Sequence, residues 1–201
     1  MIEEAVGAIR AGRPVVLPTD TVYGLCAEPS ADAASQVARL KGRYERQPIA
    51  LVARSVETLL ELVPELPERT LGALLPGQFT LILPDPKARY PWLGGEGTIG
   101  VRVPDLPPPA AAVLDQVGAV LATSANLHGG PDPCRLEDVP EEIRRAAVLV
   151  DGGELPGTPS TVVDLTGPEP RVLREGAVPA AEALSAVRSA RAAGARATER
   201  T

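Results

Sequence analysis

Short apolar runs alternate with helix-forming segments along the 201-residue chain, and this alternation determines its fold class. Strands are predicted at residues 14–18, 49–53, 79–83, 98–103, 119–122, 148–150, 161–165 and 171–174. Helices are predicted at 2–11, 30–41, 55–62, 67–75, 107–117, 136–146 and 179–193. Interleaved strands and helices are typical of an α/β protein with a mixed sheet. The last strands follow one another directly, which favours antiparallel pairing there.

The chain is predicted to contain a single domain. Residues 1–178 form that domain, residues 179–193 a C-terminal helix, and residues 194–201 a tail that we expect to be disordered. Hydrophobic residues make up 44% of the chain, which is enough for a core. Aromatic residues make up only 2%, so Val, Leu, Ile and Ala must fill that core.

Composition narrows the functional classes. A formal net charge of -6 weighs against a chain coated in nucleic acid. Apolar runs are too short for a membrane span, and the acidic N-terminus is unlike a signal peptide, so a cytoplasmic location is expected. Cys26 and Cys134 lack metal-ligand spacing and are expected to be reduced, buried thiols. His128 is the only histidine, which disfavours a His-rich zinc site or a Ser-His-Asp triad.

Polar segments cluster at predicted strand and helix ends, where open α/β sheets bind ligands. They are P-T-D-T-V-Y-G (18–24), K-G-R (41–43), P-G-Q-F-T (76–80), T-I-G-V-R-V-P (98–104), T-S-A-N (123–126), P-S-T-V-V-D (159–164) and L-R-E-G (173–176). Each segment alone also fits a purely structural role: a turn, cations that complement a helix dipole, or an ion pair. The standard glycine-rich phosphate loops are absent. Arginines and hydroxyls spread over several strand ends instead suggest a site for an anionic small molecule assembled from the whole chain.

Individual side chains within these segments suggest specific contacts. Lys41 and Arg43, expected at an exposed helix end, can converge on one anion. Arg102 lies in an apolar strand and needs an acidic partner or a ligand carboxylate. Ser124 and Asn126 offer a hydroxyl and an amide from the same strand end. Only two of the 20 basic residues are lysines, and Asn126 is the only asparagine, so Lys41 and Asn126 stand out.

The order and spacing of these segments resemble the YrdC-like family of threonylcarbamoyl-AMP synthases, from about residue 5 to residue 178. The resemblance implies a twisted open sheet with a concave, positively charged face. It also implies synthesis of L-threonylcarbamoyladenylate and pyrophosphate from L-threonine, bicarbonate and ATP, with Mg²⁺ accompanying ATP and no protein-bound metal. A partner complex would transfer the threonylcarbamoyl group to position 37 of tRNA, and weak binding of tRNA or double-stranded RNA would accompany this activity.

Family motifs assign the site residues of this chain. Catalytic roles are implied for Lys41, Arg43, Ser124 and Asn126. ATP contacts are implied for Lys41, Arg43, Gln47, Thr98, Ser124 and Arg174. L-Threonine contacts are implied for Thr21, Arg102, Ala122 and Ser160, with Arg102 on the carboxylate. The polar stretch at 18–24 would then form one wall of the threonine pocket.

The chain departs from the family pattern at four positions. Tyr44 follows the Lys-x-Arg motif where many members have Pro, and Val52 stands where long members have His. Gln47 replaces an Asn that often contacts ATP, and Gln78 replaces the second Pro of P-G-P. These departures concern the 44–52 loop more than the reaction. The chain is expected to be of the short bacterial type, without the extra C-terminal domain of longer members.

Two alternatives stay open at the level of sequence. One is a YrdC-like paralogue with a different carbamoyl-type reaction, which the intact Ser124-x-Asn126 pair disfavours. The other is a non-catalytic RNA-binding module, which the negative net charge and the scarcity of aromatic residues disfavour.

Overall fold

The computed structural model describes residues 1–42 and 48–198. Its helices are α1 (Ile2–Arg10), α2 (Ala31–Leu40), α3 (Val56–Leu62), α4 (Glu68–Leu74), α5 (Pro108–Val117), α6 (Glu141–Ala146) and α7 (Ala180–Thr198). Its strands are β1 (Val15–Pro18), β2 (Tyr23–Ala27), β3 (Ala50–Ala53), β4 (Phe79–Pro84), β5 (Thr98–Arg102), β6 (Ala119–Ser124), β7 (Val148–Leu149), β8 (Thr161–Asp164) and β9 (Arg171–Arg174). None of the helices in these two ranges is both long and apolar enough to cross a lipid bilayer.

All of these strands join one mixed sheet in the order β7-β1-β2-β6-β3-β5-β4-β8-β9. The pairs β1–β7, β3–β5 and β4–β8 are parallel, and the other neighbours are antiparallel. The prediction of an α/β fold with a mixed sheet is confirmed, as is the antiparallel pairing of the last two strands.

Alternate strand residues enter two separate cores. On one face, Val16, Leu25, Leu51 and Leu121 pack beneath the layer that contains α2, α3, α4 and α7. On the other face, a smaller cluster joins strand residues such as Val15 and Cys26 to α1 and α5. The rest of this second face, over β3, β4, β5 and β8, lines a cavity.

Most element boundaries follow from local sequence. Ser30 caps α2 by accepting the N–H of Ala33, and Ser55 caps α3 by accepting the N–H of Thr58, as the sequence predicts. The segment predicted as one helix at 136–146 is instead a 3₁₀ turn, Leu136–Asp138, followed by α6. Pro140 separates them because it lacks the N–H that a continuous helix needs.

Strand β2 is missing from the sequence prediction. It pairs with β1 as a hairpin, with Leu17 opposite Gly24 and Pro18 opposite Tyr23. Helix α7 extends to Thr198, five residues beyond the end of the helix predicted at 179–193. Residues 199–201 lie outside the described ranges, and the division into domain, helix and tail stays a prediction.

Candidate active site

A cavity of about 600 Å³ lies on the second face of the sheet, beyond α1 and α5. The residues that line it recur at every second strand position, because alternate side chains of a strand point to the same face. They include Gly24, Ala50, Val52, Thr80, Ile82, Thr98, Gly100, Arg102, Ala122, Ser124, Val162 and Asp164. Its size is in the range of small-ligand sites, which is about 300–1,000 Å³.

The turn between β1 and β2 forms one wall of the cavity. The Thr19 hydroxyl donates to the carbonyl of Val22 at 2.7 Å and accepts from the backbone N–H groups of Thr21 and Val22, both at 3.2 Å. Gly157 donates its N–H to the carbonyl of Thr21 at 2.9 Å. The turn is therefore fixed by its own first side chain and by the loop that precedes β8.

Arg102 lies at the end of β5 and faces this turn. Its Nη2 donates to Thr21 Oγ1 at 2.9 Å and forms an ion pair with Asp20 Oδ1. Burial raises the pKa of Asp20 above its ordinary value, although the nearby Arg102 charge opposes this. Burial also lowers the pKa of Arg102, again opposed by the attraction between the two charges. The acidic partner expected for Arg102 is thus Asp20.

Ser160 links three sides of the cavity. Its hydroxyl lies 2.8 Å from the Thr80 hydroxyl of β4, and Arg174 Nη2 of β9 donates to its carbonyl at 2.9 Å. Gly176 packs directly on this backbone, since a Cβ at that position would collide with Pro159 O and lie 2.7 Å from Ser160 C. The glycine of the L-R-E-G segment is therefore required by close backbone approach.

Lys41 lies next to the cavity and is buried, with only 1% of its surface exposed. Its Nζ donates to Asn126 Oδ1 at 2.6 Å and to the Asn126 carbonyl at 2.7 Å, and it also donates to the Ser124 carbonyl. The expectation of an exposed helix end at Lys41 is wrong. The Lys41 side chain extends from the end of α2 to the end of β6, where backbone oxygens accept hydrogen bonds from its ammonium group.

Ser124 and Asn126 interact directly, as expected from their shared position at the end of β6. The Ser124 hydroxyl donates to Asn126 Oδ1 at 2.7 Å. Asn126 Nδ2 donates to the carbonyl of Gly130 at 2.6 Å and to Asp132 Oδ1 at 3.2 Å. The amide is thus held by the following loop, and Ser124 lines the cavity.

Thr98 and Ala122 line the same cavity from β5 and β6. A Cβ on Gly95 would collide with the carbonyl and hydroxyl oxygens of Thr98, so the 94–97 loop approaches Thr98 closely. The charged residues of the described lining are Arg102, Arg174, Glu96 and Asp164. Hydrogen bonds from Thr166 and the charge of Arg171 keep the pKa of Asp164 low, so the described lining has no excess of positive charge.

The structure thus brings eight of the predicted residues to one cavity or its immediate border, and Asn126 reaches it through Ser124 and Lys41. Arg43, Tyr44 and Gln47 lie outside the described residues. Thr80 and Asp20 were missed as site residues, because their partners Ser160 and Arg102 are 80 and 82 positions away in sequence. The ligand contacts of the predicted site residues stay predictions.

The two cysteines differ in exposure. Cys26 is buried and Cys134 is only half-buried, and neither is in a disulfide.

The fold and cavity define this chain as an α/β domain built to hold a polar small molecule on one face of a mixed sheet. The chain belongs to the Sua5/YciO/YrdC family, whose model, described as telomere recombination, matches residues 7–176. The family predicted from the motif order is thereby confirmed.

Relatives and solved structures agree with this assignment. A Mycobacterium tuberculosis protein is 37% identical over 184 residues, which cover 88% of this chain and 84% of that protein. Threonylcarbamoyl-AMP synthase of Pyrococcus abyssi is 35% identical over 90% of this chain, but only 55% of its own length is covered. The crystal structure of P. abyssi Sua5 complexed with L-threonine superposes with a TM-score of 0.83 at 34% identity, covering 92% of this chain and 56% of that one. Escherichia coli YciO superposes with a TM-score of 0.76 at 29% identity, covering 88% of this chain and 89% of YciO.

Proposed function

We propose that this chain is an L-threonylcarbamoyladenylate synthase. Curated relatives in bacteria, archaea and mammals are threonylcarbamoyl-AMP synthases. The observation that carries the proposal is one cavity of about 600 Å³ that is lined by Thr21, Arg102 and Ser160 together with Thr98, Ser124 and Arg174. These are the two residue sets that the sequence motifs assign to L-threonine and to ATP.

The proposed reaction has two bond-forming steps. The threonine amine attacks the carbon of bicarbonate and water leaves, which gives a carbamate. A carbamate oxygen then attacks the α-phosphorus of ATP, the bond to the bridging oxygen breaks, and pyrophosphate leaves. Positioning and charge stabilisation drive transfers of this kind, so a side-chain nucleophile is not needed.

The threonine side of the cavity is polar and rigid. The Arg102 guanidinium would bind the substrate carboxylate, because the fork of N–H donors matches a carboxylate. The hydroxyls of Thr21 and Ser160 and the backbone near Ala122 would surround the remaining polar groups of threonine. Thr21 already accepts from Arg102 and Ser160 from Arg174 or Thr80, so these groups are oriented before substrate arrives.

The nucleotide side would use Thr98, Ser124 and Arg174, together with Arg43 and Gln47. Lys41 would act at the reaction centre by holding Ser124 and Asn126, whose backbone oxygens and amide it contacts. Within the described residues, no three His, Cys, Asp or Glu side chains come together as a metal-binding group. Mg²⁺ would enter as the MgATP substrate, since Mg²⁺ is commonly bound by substrate phosphates and water.

Further proposals concern the cellular context. Bicarbonate would be the carbon source, and a tRNA-modification complex would receive the threonylcarbamoyl-AMP. Cytoplasmic location and weak binding of tRNA or double-stranded RNA stay predictions.

Pyrophosphate release by the purified chain tests the proposed activity. We expect release from MgATP that needs both L-threonine and bicarbonate and that falls when L-serine replaces L-threonine. Release that ignores threonine would favour a paralogue with another reaction, and RNA binding without any release would favour the binding module.

Two arginine variants separate the substrates. Arg102→Ala is expected to raise the KM for L-threonine at least about tenfold, and Arg174→Ala to raise the KM for ATP, since each removes a charged hydrogen-bond donor. Arg54→Ala is the matched control, because the Arg54 side chain is 52% exposed and lines a different cleft. Equal effects of Arg102→Ala on both KM values would contradict the assignment of Arg102 to threonine.

A further inference from the structure

Asp20 is next to the cavity and forms an ion pair with Arg102, which lines it. Arg102, Thr21 and Thr19 line the cavity, whereas Asp20 is not part of its described lining. The Asp20 side chain is 7% exposed and that of Arg102 is 11% exposed. A carboxylate in this position can influence ligand binding through its ion pair with the arginine.

The two acceptors of Arg102 Nη2 fix the orientation of the guanidinium. Asp20 Oδ1 and Thr21 Oγ1 both accept from this one nitrogen. Asp20 Oδ2 and Arg102 Nε are buried and have no hydrogen-bond partner among the described residues. The contact with Asp20 is therefore made through Nη2 and one carboxylate oxygen, and it leaves donor capacity on the guanidinium.

The turn that carries Asp20 is itself held in place. Gln78 Nε2 donates to the Asp20 carbonyl at 3.2 Å, and the Thr19 hydroxyl accepts from the next two backbone N–H groups. The backbone that carries Asp20 is therefore fixed on both sides of the residue, so its carboxylate meets Arg102 from a defined position.

Charge balance explains why an acid is needed at this place. Burial disfavours the charged form of Arg102, and the positive charge of Arg174 across the cavity disfavours it further. Asp20 is the group that most strongly offsets both effects. Without it, Thr21 is the remaining side-chain acceptor of the guanidinium among the residues that the structure describes.

We propose that Asp20 is a positioning residue for substrate binding: it orients the Arg102 guanidinium so that its free N–H groups meet the carboxylate of the amino-acid substrate. The inference rests on the proposed function, because it takes L-threonine as the substrate. It assigns a role to the acidic residue of the P-T-D-T segment, whose contact with Arg102 the sequence does not reveal.

Asp20→Asn keeps the shape of the side chain and removes its charge. We expect the KM for L-threonine to rise at least about tenfold, the effect of losing one charged hydrogen bond, with the KM for ATP and the kcat at saturating threonine within about threefold of wild type. A purely structural role would lower thermal stability without this split between the two KM values. Asp115→Asn is the matched control, since Asp115 also forms an ion pair with an arginine, Arg54, but its side chain is 49% exposed and lies outside the cavity lining.

Equilibrium binding of L-threonine alone gives a second readout. The groups that face the Asp20–Arg102 pair are Asp105, Arg174 and Cys26, and the Cys26 thiol stays neutral because its pKa is raised to about 12. Because burial raises the pKa of Asp20 above the ordinary 3.8, Asp20 gains a proton as pH falls while threonine is still a zwitterion, so wild-type affinity should fall. The Asp20→Asn protein should lack this part of the pH dependence. Asp20→Glu, which keeps the charge, should retain it and serves if Asp20→Asn does not fold.

The outcomes separate the two proposals. Two results with an active wild type would overturn the role of Asp20 and leave the proposed function intact. One is a threonine KM that Asp20→Asn does not change. The other is a threonine affinity with the same pH dependence in the wild type and in Asp20→Asn. A flat pH profile in both the wild type and Asp20→Glu overturns it as well. A folded wild type with neither threonine-dependent pyrophosphate release nor threonine binding overturns the proposed function.

Discussion

The ammonium group of Lys41 lies in the protein interior and joins two elements that border the cavity. Three oxygens of Ser124 and Asn126 accept from it, and 1% of the residue is exposed. A buried lysine in this setting contributes to folding as well as to chemistry, because its removal leaves buried acceptors without a donor.

Lys41→Ala is therefore expected to abolish pyrophosphate release and also to lower the free energy of unfolding, by about 3 kcal/mol. Urea denaturation followed by circular dichroism measures the second effect. Lys87→Ala is the control, because this other lysine has a side chain that is 64% exposed and forms only a surface ion pair with Glu65. No change in either property is expected there, and a Lys41→Ala protein as stable as wild type would contradict the buried position.

Single residues show where sequence reasoning reaches its limit. The prediction that Arg102 needs an acid or a ligand carboxylate follows from its apolar strand, and the structure supplies the acid. The identity of that acid does not follow, because Asp20 is 82 positions away and no local pattern connects the two. The same holds for Thr80, whose hydroxyl meets Ser160 only after β4 and β8 pair.

Strand β8 is tied to the segment after β9 by one buried hydroxyl. Thr161 Oγ1 donates to the carbonyl of Val178 at 2.6 Å and accepts the N–H groups of Gly176 at 3.0 Å and of Val178 at 3.1 Å. This contact holds the Gly176 backbone against Ser160 and so connects the packing of two strands to the geometry of the cavity.

Thr161→Val keeps the volume of the side chain and removes all three hydrogen bonds. We expect the free energy of unfolding to fall by about 3 kcal/mol, because two N–H groups and one carbonyl lose their partner in a buried place. Thr161→Ser retains the oxygen and should lose less than half as much. Equal unfolding midpoints for the Val and Ser variants in urea would show that the hydroxyl contributes little.

Helix boundaries can be predicted from the local sequence wherever a capping residue or a helix-breaking residue is present. Ser30 and Ser55 mark the starts of α2 and α3 correctly, since their hydroxyls accept the expected N–H groups. Strand β2 could not be recognised in the same way, because its five residues follow a polar turn and are stabilised by pairing with β1 and β6. Its extended form is a consequence of tertiary pairing.

The order of strands is a property of the whole molecule. Strand β7 pairs with β1, and β6 lies between β2 and β3, so the cavity collects residues from Thr19 to Arg174. Hydrophobic periodicity predicts that such strands exist but does not specify which of them are neighbours. The site therefore forms only when the complete sheet has formed, and ligands that bind it should stabilise the entire fold.

The two cysteines offer a direct measurement of this coupling. Cys26 is 2% exposed, packs in the core beneath α1 and α5, and has a pKa that burial raises to about 12. Cys134 is half-buried, and a hydrogen bond to Asp138 raises the pKa of its thiol. Because the folded pKa of Cys26 is raised above the ordinary 9.0, the stability that its neutral thiol contributes is present below that pH and is lost as pH rises towards 12.

At pH 8, iodoacetamide should modify Cys134 in the native protein and reach Cys26 only when the sheet unfolds. L-Threonine at about 100 times its dissociation constant should slow labelling of Cys26 by up to about 100-fold, since a ligand that binds the folded state reduces the unfolded population. Labelling of Cys134 serves as the internal control and should change little. Peptide mass spectrometry over time measures both labelling rates. If Cys26 is labelled as fast as Cys134, or if the ligand does not slow its labelling, then ligand binding in the cavity does not stabilise the whole sheet.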